Sequence, residues 1–285
     1  MMGKYFTSFD NAKIYYHLTL KNKQSLPFAK AKRKQKWLIF LHGFGGDLTA
    51  WKKERDYFSK LGISTIAMDL RGHGLSERSN SKDFYRLENF SKDVLTLIEK
   101  EQLTNTVVIG HCFGGMVAIH FQALFPNHSK GLVLVDTSYK PPFFATNRVE
   151  KALLKQIIGL FTRFLPNIKV GGHRDFNRFL DTKDLDFKRI LSDILHTSLS
   201  SYLMISNNLV GLNADKLLDQ ILVPTLIIEG AKDTIFPPEI AKYLHKRIKT
   251  SELDIIPEAN HILVINNPKE VEKSMVGFLK KINFI

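Results

Sequence analysis

Val107-Val108-Ile109-Gly110-His111-Cys112-Phe113-Gly114-Gly115 is a strand that runs straight into a helix. Thr106, Val107, Val108 and Ile109 are β-branched and suit a pleated, buried strand. From about Phe113 the pattern turns helical and stops near Phe125, because Pro126 disfavours helix in the residue ahead of it. Glycines flank the cysteine closely, as a sharp strand-to-helix turn requires: two backbones approach there and leave no room for side-chain bulk. The apex residue, Cys112, is thereby pushed above the sheet at a helix N-terminus. Partial positive charge and free N–H groups at that end stabilise an anion, which favours a thiolate.

The same alternation continues on both sides. Trp37–Leu41 reads as a buried strand followed by Gly43, Gly45 and Gly46. Ile63–Met68 reads as the next strand, followed by Asp69-Leu70-Arg71-Gly72-His73-Gly74. A helix over 89–101 carries Phe90, Val94, Leu97 and Ile98 on one face. Leu132–Val135 is a strand ending at Asp136. The rhythm then breaks: 138–212 is helical in pattern, rich in Phe and Leu, with no strand. It resumes with strand 225–229, a helix at 238–247, strand 252–256 and a helix over 268–281. Tyr5–Leu20 predicts a hairpin built around Asp10-Asn11. The chain therefore reads as one α/β domain made of 1–137 and 213–285, with 138–212 inserted into it.

Composition narrows the class. With 285 residues, 44% hydrophobic and 24% charged, the chain is neither disordered nor fibrous and is long enough for a full core. No stretch approaches the ~18 uninterrupted apolar residues that a membrane span needs. Met1–Phe6 lacks a long apolar segment and a small-residue cleavage site, so no signal peptide is expected. The single cysteine excludes an intramolecular disulfide and a Cys-based zinc site, and fits a cytoplasmic setting. The net charge is +13, and residues 1–60 hold 13 Lys/Arg against 4 Asp/Glu. The densest run, Lys30–Lys36, has no interleaved aromatics and matches no nucleic-acid module, so it reads as a solvated loop. Gly43-Phe44-Gly45 and Gly110-His111-Cys112 do not continue as dinucleotide-binding fingerprints. No metal-ligand spacing is present. Neither a cofactor nor a metal is expected.

G-x-C-x-G in this setting resembles the nucleophile elbow of the α/β-hydrolase fold, with Cys in place of the usual Ser. The resemblance spans nearly the whole chain. It includes His42-Gly43-Phe44-Gly45-Gly46, Asp69–Ser76, Gly230-Ala231-Lys232-Asp233 and Ala259-Asn260-His261, in family order and each at a strand end. It implies a mainly parallel eight-stranded sheet flanked by helices, with 138–212 as a helical cap. It also implies Cys112 as nucleophile, His261 as general base and Asp233 as the acid that orients it, with Asp136 as the competing acid. The backbone N–H groups of Phe44 and Phe113 would form the oxyanion hole, and His42, Phe236 and Ile262 would border the substrate.

The expected activity is hydrolysis of carboxylic esters or lactones through a thioester acyl-enzyme. A thiolate leaves a tetrahedral intermediate more readily than an alkoxide, so substrates with good leaving groups are favoured: activated esters, lactones and thioesters. The alternatives are acyl transfer or thioesterase action on an acyl thioester, and an inactive ligand-binding relative. Phe143, Phe144, Phe161, Phe164, Phe176, Phe179 and Phe187 make the insertion aromatic. Roughly five of the seven are expected to bury it against the main domain, and the rest to line an acyl pocket.

Overall fold

A computed structural model describes residues 2–20, 35–142, 147–166, 168 and 172–285. The centre of the basic run, 30–34, and Phe143 and Phe144 lie outside the described residues. In chain order the elements are β1 (Met2–Thr7), β2 (Lys13–Thr19), β3 (Lys36–Leu41), α1 (Lys52–Lys60), β4 (Ser64–Met68), α2 (Leu87–Lys100), β5 (Asn105–His111) and α3 (Phe113–Leu124). They continue with β6 (Gly131–Val135), α4 (Arg148–Thr162), α5 (Phe187–Thr197), α6 (Leu199–Leu209), α7 (Asp215–Leu218), β7 (Thr225–Gly230), α8 (Pro238–Arg247), β8 (Ser251–Ile256), α9 (Leu263–Asn266) and α10 (Pro268–Lys281).

The strands form one eight-stranded sheet in the order β1-β2-β4-β3-β5-β6-β7-β8. β3 to β8 run parallel, while β2 pairs antiparallel with both β1 and β4. The expected hairpin is present, and Asn11 makes its turn at a φ of 67°. Successive residues of the central strands enter two different apolar layers. Ile39, Leu41, Val108, Leu132 and Leu134 pack with α2 and α3 residues on one face. Leu38, Phe40, Val107, Ile109, Val133 and Val135 pack on the other with Phe58 of α1 and Val271 and Met275 of α10. Helices thus cover both faces, as parallel strands without a polar side demand.

Register levels the strand ends. Leu41 lies beside Gly110, Gly110 beside Leu134, and Val135 beside Ile228. The loops after β3, β5, β6, β7 and β8 therefore leave the sheet at one edge, where open α/β sheets gather their ligands. Helix α1 carries no periodic apolar signal, since its buried face is Glu54, Arg55 and Phe58.

Between β6 and β7 the described residues are helical, as expected, with a 3-10 turn at Phe176–Phe179. The expected burial of its phenylalanines is not met among those described. Phe161, Phe164 and Phe187 are exposed, and Phe176 and Phe179 are only half-buried, close to the Arg174 guanidinium. For Phe161 and Phe164 the reason is the rotation of α4. Its less exposed face carries Lys151, Leu154, Lys155 and Ile158, and the Asn207 amide of α6 donates to the Lys155 carbonyl at 3.2 Å. No described helix is long and apolar enough to cross a membrane.

Candidate active site

Cys112 stands between β5 and α3 at φ 52° and ψ −115°, a backbone strained for any residue with a Cβ. The neighbouring glycines make that turn possible. A Cβ on Gly110 would meet the Gly114 carbonyl oxygen at 2.3 Å, and one on Gly114 would meet the Leu41 oxygen at 2.3 Å. The turn is tied down on both sides: Cys112 N–H donates to the Val135 carbonyl at 3.0 Å, and the Thr137 hydroxyl donates to the Cys112 carbonyl at 2.6 Å. The Cys112 side chain is half-buried.

The loop after β3 passes directly over the cysteine, where a Cβ on Gly43 would sit 3.3 Å from Cys112 Cβ. Phe44 follows, its ring 5.8 Å from that of Phe113. Phe113 opens α3, so its N–H is one of the four at that end without an intrahelical acceptor.

His261 lies in the loop after β8, and its Nδ1 is 2.7 Å from Asp233 Oδ2. The other Asp233 oxygen accepts the N–H groups of Ile235 and Phe236 at 2.7 and 2.8 Å. Both oxygens of that carboxylate thus meet a donor. Burial, the largest influence on His261, disfavours the imidazolium. The Cys112 charge, hydrogen bonds to Asp233 and Cys112, and the Asp233 charge outweigh it and raise the ring well above the ordinary histidine range. With Nδ1 held by Asp233, Nε2 is the ring nitrogen left for the hydrogen bond to Cys112. The structure thus brings Cys112, His261 and Asp233 together from three loops.

Asp136 is near but differently placed. One oxygen accepts the Gly230 N–H at 2.9 Å, while the other has no hydrogen-bond partner. Asp136, Glu229 and Asp233 place carboxylate oxygens within 4.8 Å of one another, all buried, and His111, Asp136 and His261 form a second such group. These are the described residues that could hold a metal ion. Three carboxylates this close and dry cannot all be ionised. Burial, and next the Asp136 charge, raise Glu229, and burial raises Asp136 well above the ordinary range. Both are thereby biased towards their protonated forms.

Two histidines brace the site. His42 is fully buried with both ring nitrogens engaged, Nδ1 to the Gly43 carbonyl at 2.8 Å and Nε2 by the Leu70 N–H at 3.0 Å. It holds the loop after β3 and has no surface left for a substrate, which corrects its expected role. His111 donates from Nε2 to the His261 carbonyl at 2.9 Å, and burial, then the His261 charge, lower it to about 3, so it is neutral. Phe236 and Ile262 are also buried. Phe236 packs its ring 5.5 Å from that of His261, and Ile262 belongs to the apolar layer beneath the sheet. Neither side chain borders open space, so the structure does not support their expected substrate contacts.

The insertion supplies residues that no strand-end motif announces. Asp184 is buried and accepts the His261 N–H at 2.9 Å, the Thr234 N–H at 2.8 Å and the Thr234 hydroxyl at 2.7 Å. One carboxylate thus joins the loop bearing His261 to the loop bearing Asp233. Tyr202 of α6 stacks on Phe44 with ring centroids 4.1 Å apart. Burial, then the charges of Asp193 and Cys112, push its hydroxyl up to about 12. Arg174 donates to the Gly45 carbonyl at 3.1 Å and pairs with Asp193. These contacts lie far apart in sequence within a helical segment, and only aromatic richness marked it.

Comparison with known proteins follows the same lines. A family profile described as the alpha/beta hydrolase fold matches residues 36–268. The chain is 30% identical over 254 residues to a Mycoplasma pneumoniae protein named "Putative esterase/lipase 2", covering 84% of this chain and 87% of that one. It is 23% identical to 3-oxoadipate enol-lactonase 2 of Acinetobacter baylyi, over 86% of this chain and 89% of that one. A solved structure of a thermophilic esterase from Thermogutta terrifontis superposes with a TM-score of 0.74 at 19% identity, covering 99% of each chain.

Proposed function

The chain belongs to the alpha/beta hydrolase fold family, and from that premise we propose that it hydrolyses carboxylic esters or lactones on Cys112. The observation that carries this reading is the meeting of a strained cysteine at a helix N-terminus with an imidazole whose other nitrogen is held by a buried carboxylate. The names of the relatives, an esterase/lipase and an enol-lactonase, support the reaction class.

The thiolate of Cys112 attacks the carbonyl carbon and forms a C–S bond, while the carbonyl electron pair moves onto oxygen. The N–H groups of Phe44 and Phe113 receive that oxyanion. Each such donor typically lowers the barrier by ~3–4 kcal/mol. Collapse breaks the C–O bond, and the departing alkoxide takes the proton held on His261. Loss of the thiolate charge removes two of the influences that raise His261. The neutral ring then takes a proton from water, whose oxygen attacks the thioester and releases the carboxylic acid and the thiolate. Asp233 fixes the tautomer throughout.

Residues 138–212 act in this reading as a cap, because Tyr202 covers Phe44 and Asp184 holds both catalytic loops. A site covered in this way also suits a second substrate class, acyl thioesters, whose thiol leaving group matches a sulfur nucleophile. The test is a p-nitrophenyl ester of a short acid, with the acyl-enzyme followed by intact mass. Wild-type protein turns the ester over and gains one acyl group. Cys112→Ala should do neither, and turnover that persists in this variant refutes the nucleophile.

A further inference from the structure

The loop after β3 holds two peptide units joined in series. Gly46 N–H donates to the Gly43 carbonyl at 3.1 Å, and His42 Nδ1 donates to the same oxygen at 2.8 Å. No peptide bond is cis among the described residues. In a trans unit the C=O and N–H lie in one plane and point opposite ways. The direction of the Gly43 carbonyl therefore sets that of the Phe44 N–H, and the Gly45 carbonyl sets the Gly46 N–H. At the head of the series the Gly45 carbonyl accepts from Arg174 Nη1 at 3.1 Å. A guanidinium, two peptide units and the Phe44 N–H thus follow one another in a single sense. In such a chain each hydrogen bond polarises the next donor.

The Arg174 side chain is built for this contact. It is buried, with its guanidinium over the Phe176 and Phe179 rings at 4.9 and 4.7 Å from their centroids. Nε and Nη2 have no hydrogen-bond partner among the described residues, so Nη1 alone is engaged, by Gly45 and by Asp193. Arg189 Nη1 holds the other Asp193 oxygen at 3.1 Å. α5 comes this close because residue 45 is glycine: its φ is 76°, and a Cβ there would lie 2.6 Å from Asp193 Cβ. Attachment of the insertion does not need the guanidinium, since the Arg174 backbone supplies it. Its N–H donates to Asp47 and its carbonyl accepts the Thr49 hydroxyl, each at 2.9 Å. We propose that Arg174 is a positioning residue for the oxyanion: through the Gly45 and Gly43 carbonyls it aims and polarises the Phe44 N–H. This inference rests on the reading of Phe44 as an oxyanion donor.

The experiment compares wild type, Arg174→Gln and Arg174→Lys in the full chain. Arg174→Gln should lower kcat on the p-nitrophenyl ester by roughly 10–30-fold with KM changed by less than about threefold, short of the roughly 10²–10³-fold that an absent donor costs. Arg174→Lys keeps a cation, stays closer to the native fold and should recover part of kcat. Cys112 is the one cysteine, so iodoacetamide labelling reads it alone. Alkylation forms the C–S bond and expels iodide without placing charge on a carbonyl oxygen, so the labelling rate should not change. Labelling that slows in step with kcat overturns the proposal, because the defect then lies at the cysteine or in the fold. Full kcat in a folded Arg174→Gln overturns it too. NMR gives a readout apart from turnover: in either variant the Gly46 amide should exchange faster, and in Arg174→Gln the Phe44 amide proton should move upfield. Unmoved amide signals overturn the proposal. Wild type that fails to turn over the ester refutes the Cys112 reading instead, and the amide signals still decide the link from Arg174 to Phe44.

Discussion

Cys112 acts on the charge of His261, and the consequence is measurable at single residues. The sulfur raises the His261 ring through its charge and a hydrogen bond, against a larger opposing effect of burial. Removing the sulfur leaves burial and Asp233 alone. The His261 ring signal in NMR should therefore titrate at a lower pH in Cys112→Ala than in the wild type. An equal or higher midpoint in the variant would mean that the sulfur does not hold the imidazolium.

The two candidate acids separate at the same scale. Asp233→Asn should lower kcat by roughly 10³–10⁴-fold, because the imidazole loses its orienting charge. Asp136→Asn should leave kcat within about tenfold, since Asp136 already favours its neutral form. The reverse ranking in a side-by-side kcat measurement would give the acid role to Asp136. Both aspartates follow a strand end in the sequence. Only the bond at His261 Nδ1 and the crowding by Glu229 tell them apart.

Among elements, the elbow was the most legible. β-branched residues, flanking glycines and a proline stop encode β5 and α3 locally, and the structure runs them from Asn105 to Leu124. α1 was illegible because its buried face carries Glu54 and Arg55, so no apolar period marks it. The loops that bear His261 and Asp233 depend on a third element that carries no motif. Asp184→Ala removes three acceptor contacts, one of them from the buried His261 N–H, and each hydrogen bond to a charged group is worth about 1.5–3 kcal/mol. The variant should melt earlier and lose kcat by more than it raises KM, because the base loop drifts from the cysteine. Melting lowered with kcat unchanged would make Asp184 a purely structural staple.

At the scale of the whole molecule, the insertion is held to the sheet by buried polar contacts. Asp47, in the loop after β3, accepts the Arg174 N–H at 2.9 Å, and the His196 ring lies 3.1 Å from it. Burial opposes its charge most strongly. Contacts with His196, Thr49 and the Arg174 backbone prevail and hold it well below the usual carboxylate range. A carboxylate lowered on folding contributes stability above its unfolded value of about 3.9 and loses it as pH falls further. Asp47→Asn should accordingly cost about 2–4 kcal/mol at about pH 7, and the gap to wild type should narrow towards about pH 3 in urea melts. A gap that stays constant on acidification would detach Asp47 from the stability of this junction.

What the amino-acid sequence determined by itself is the local grammar: which runs are strands, where each ends, and that a cysteine stands at the sharpest turn. Those features depend on residues a few positions apart, through backbone sterics and side-chain period. The tertiary structure alone decided which acid faces the imidazole, which insertion residues pack on the loops around the cysteine, and that the apolar stripe of α4 turns outward. Periodicity defines an apolar face but not what lies against it, and a carboxylate's charge is set by neighbours that the chain brings from a hundred residues away.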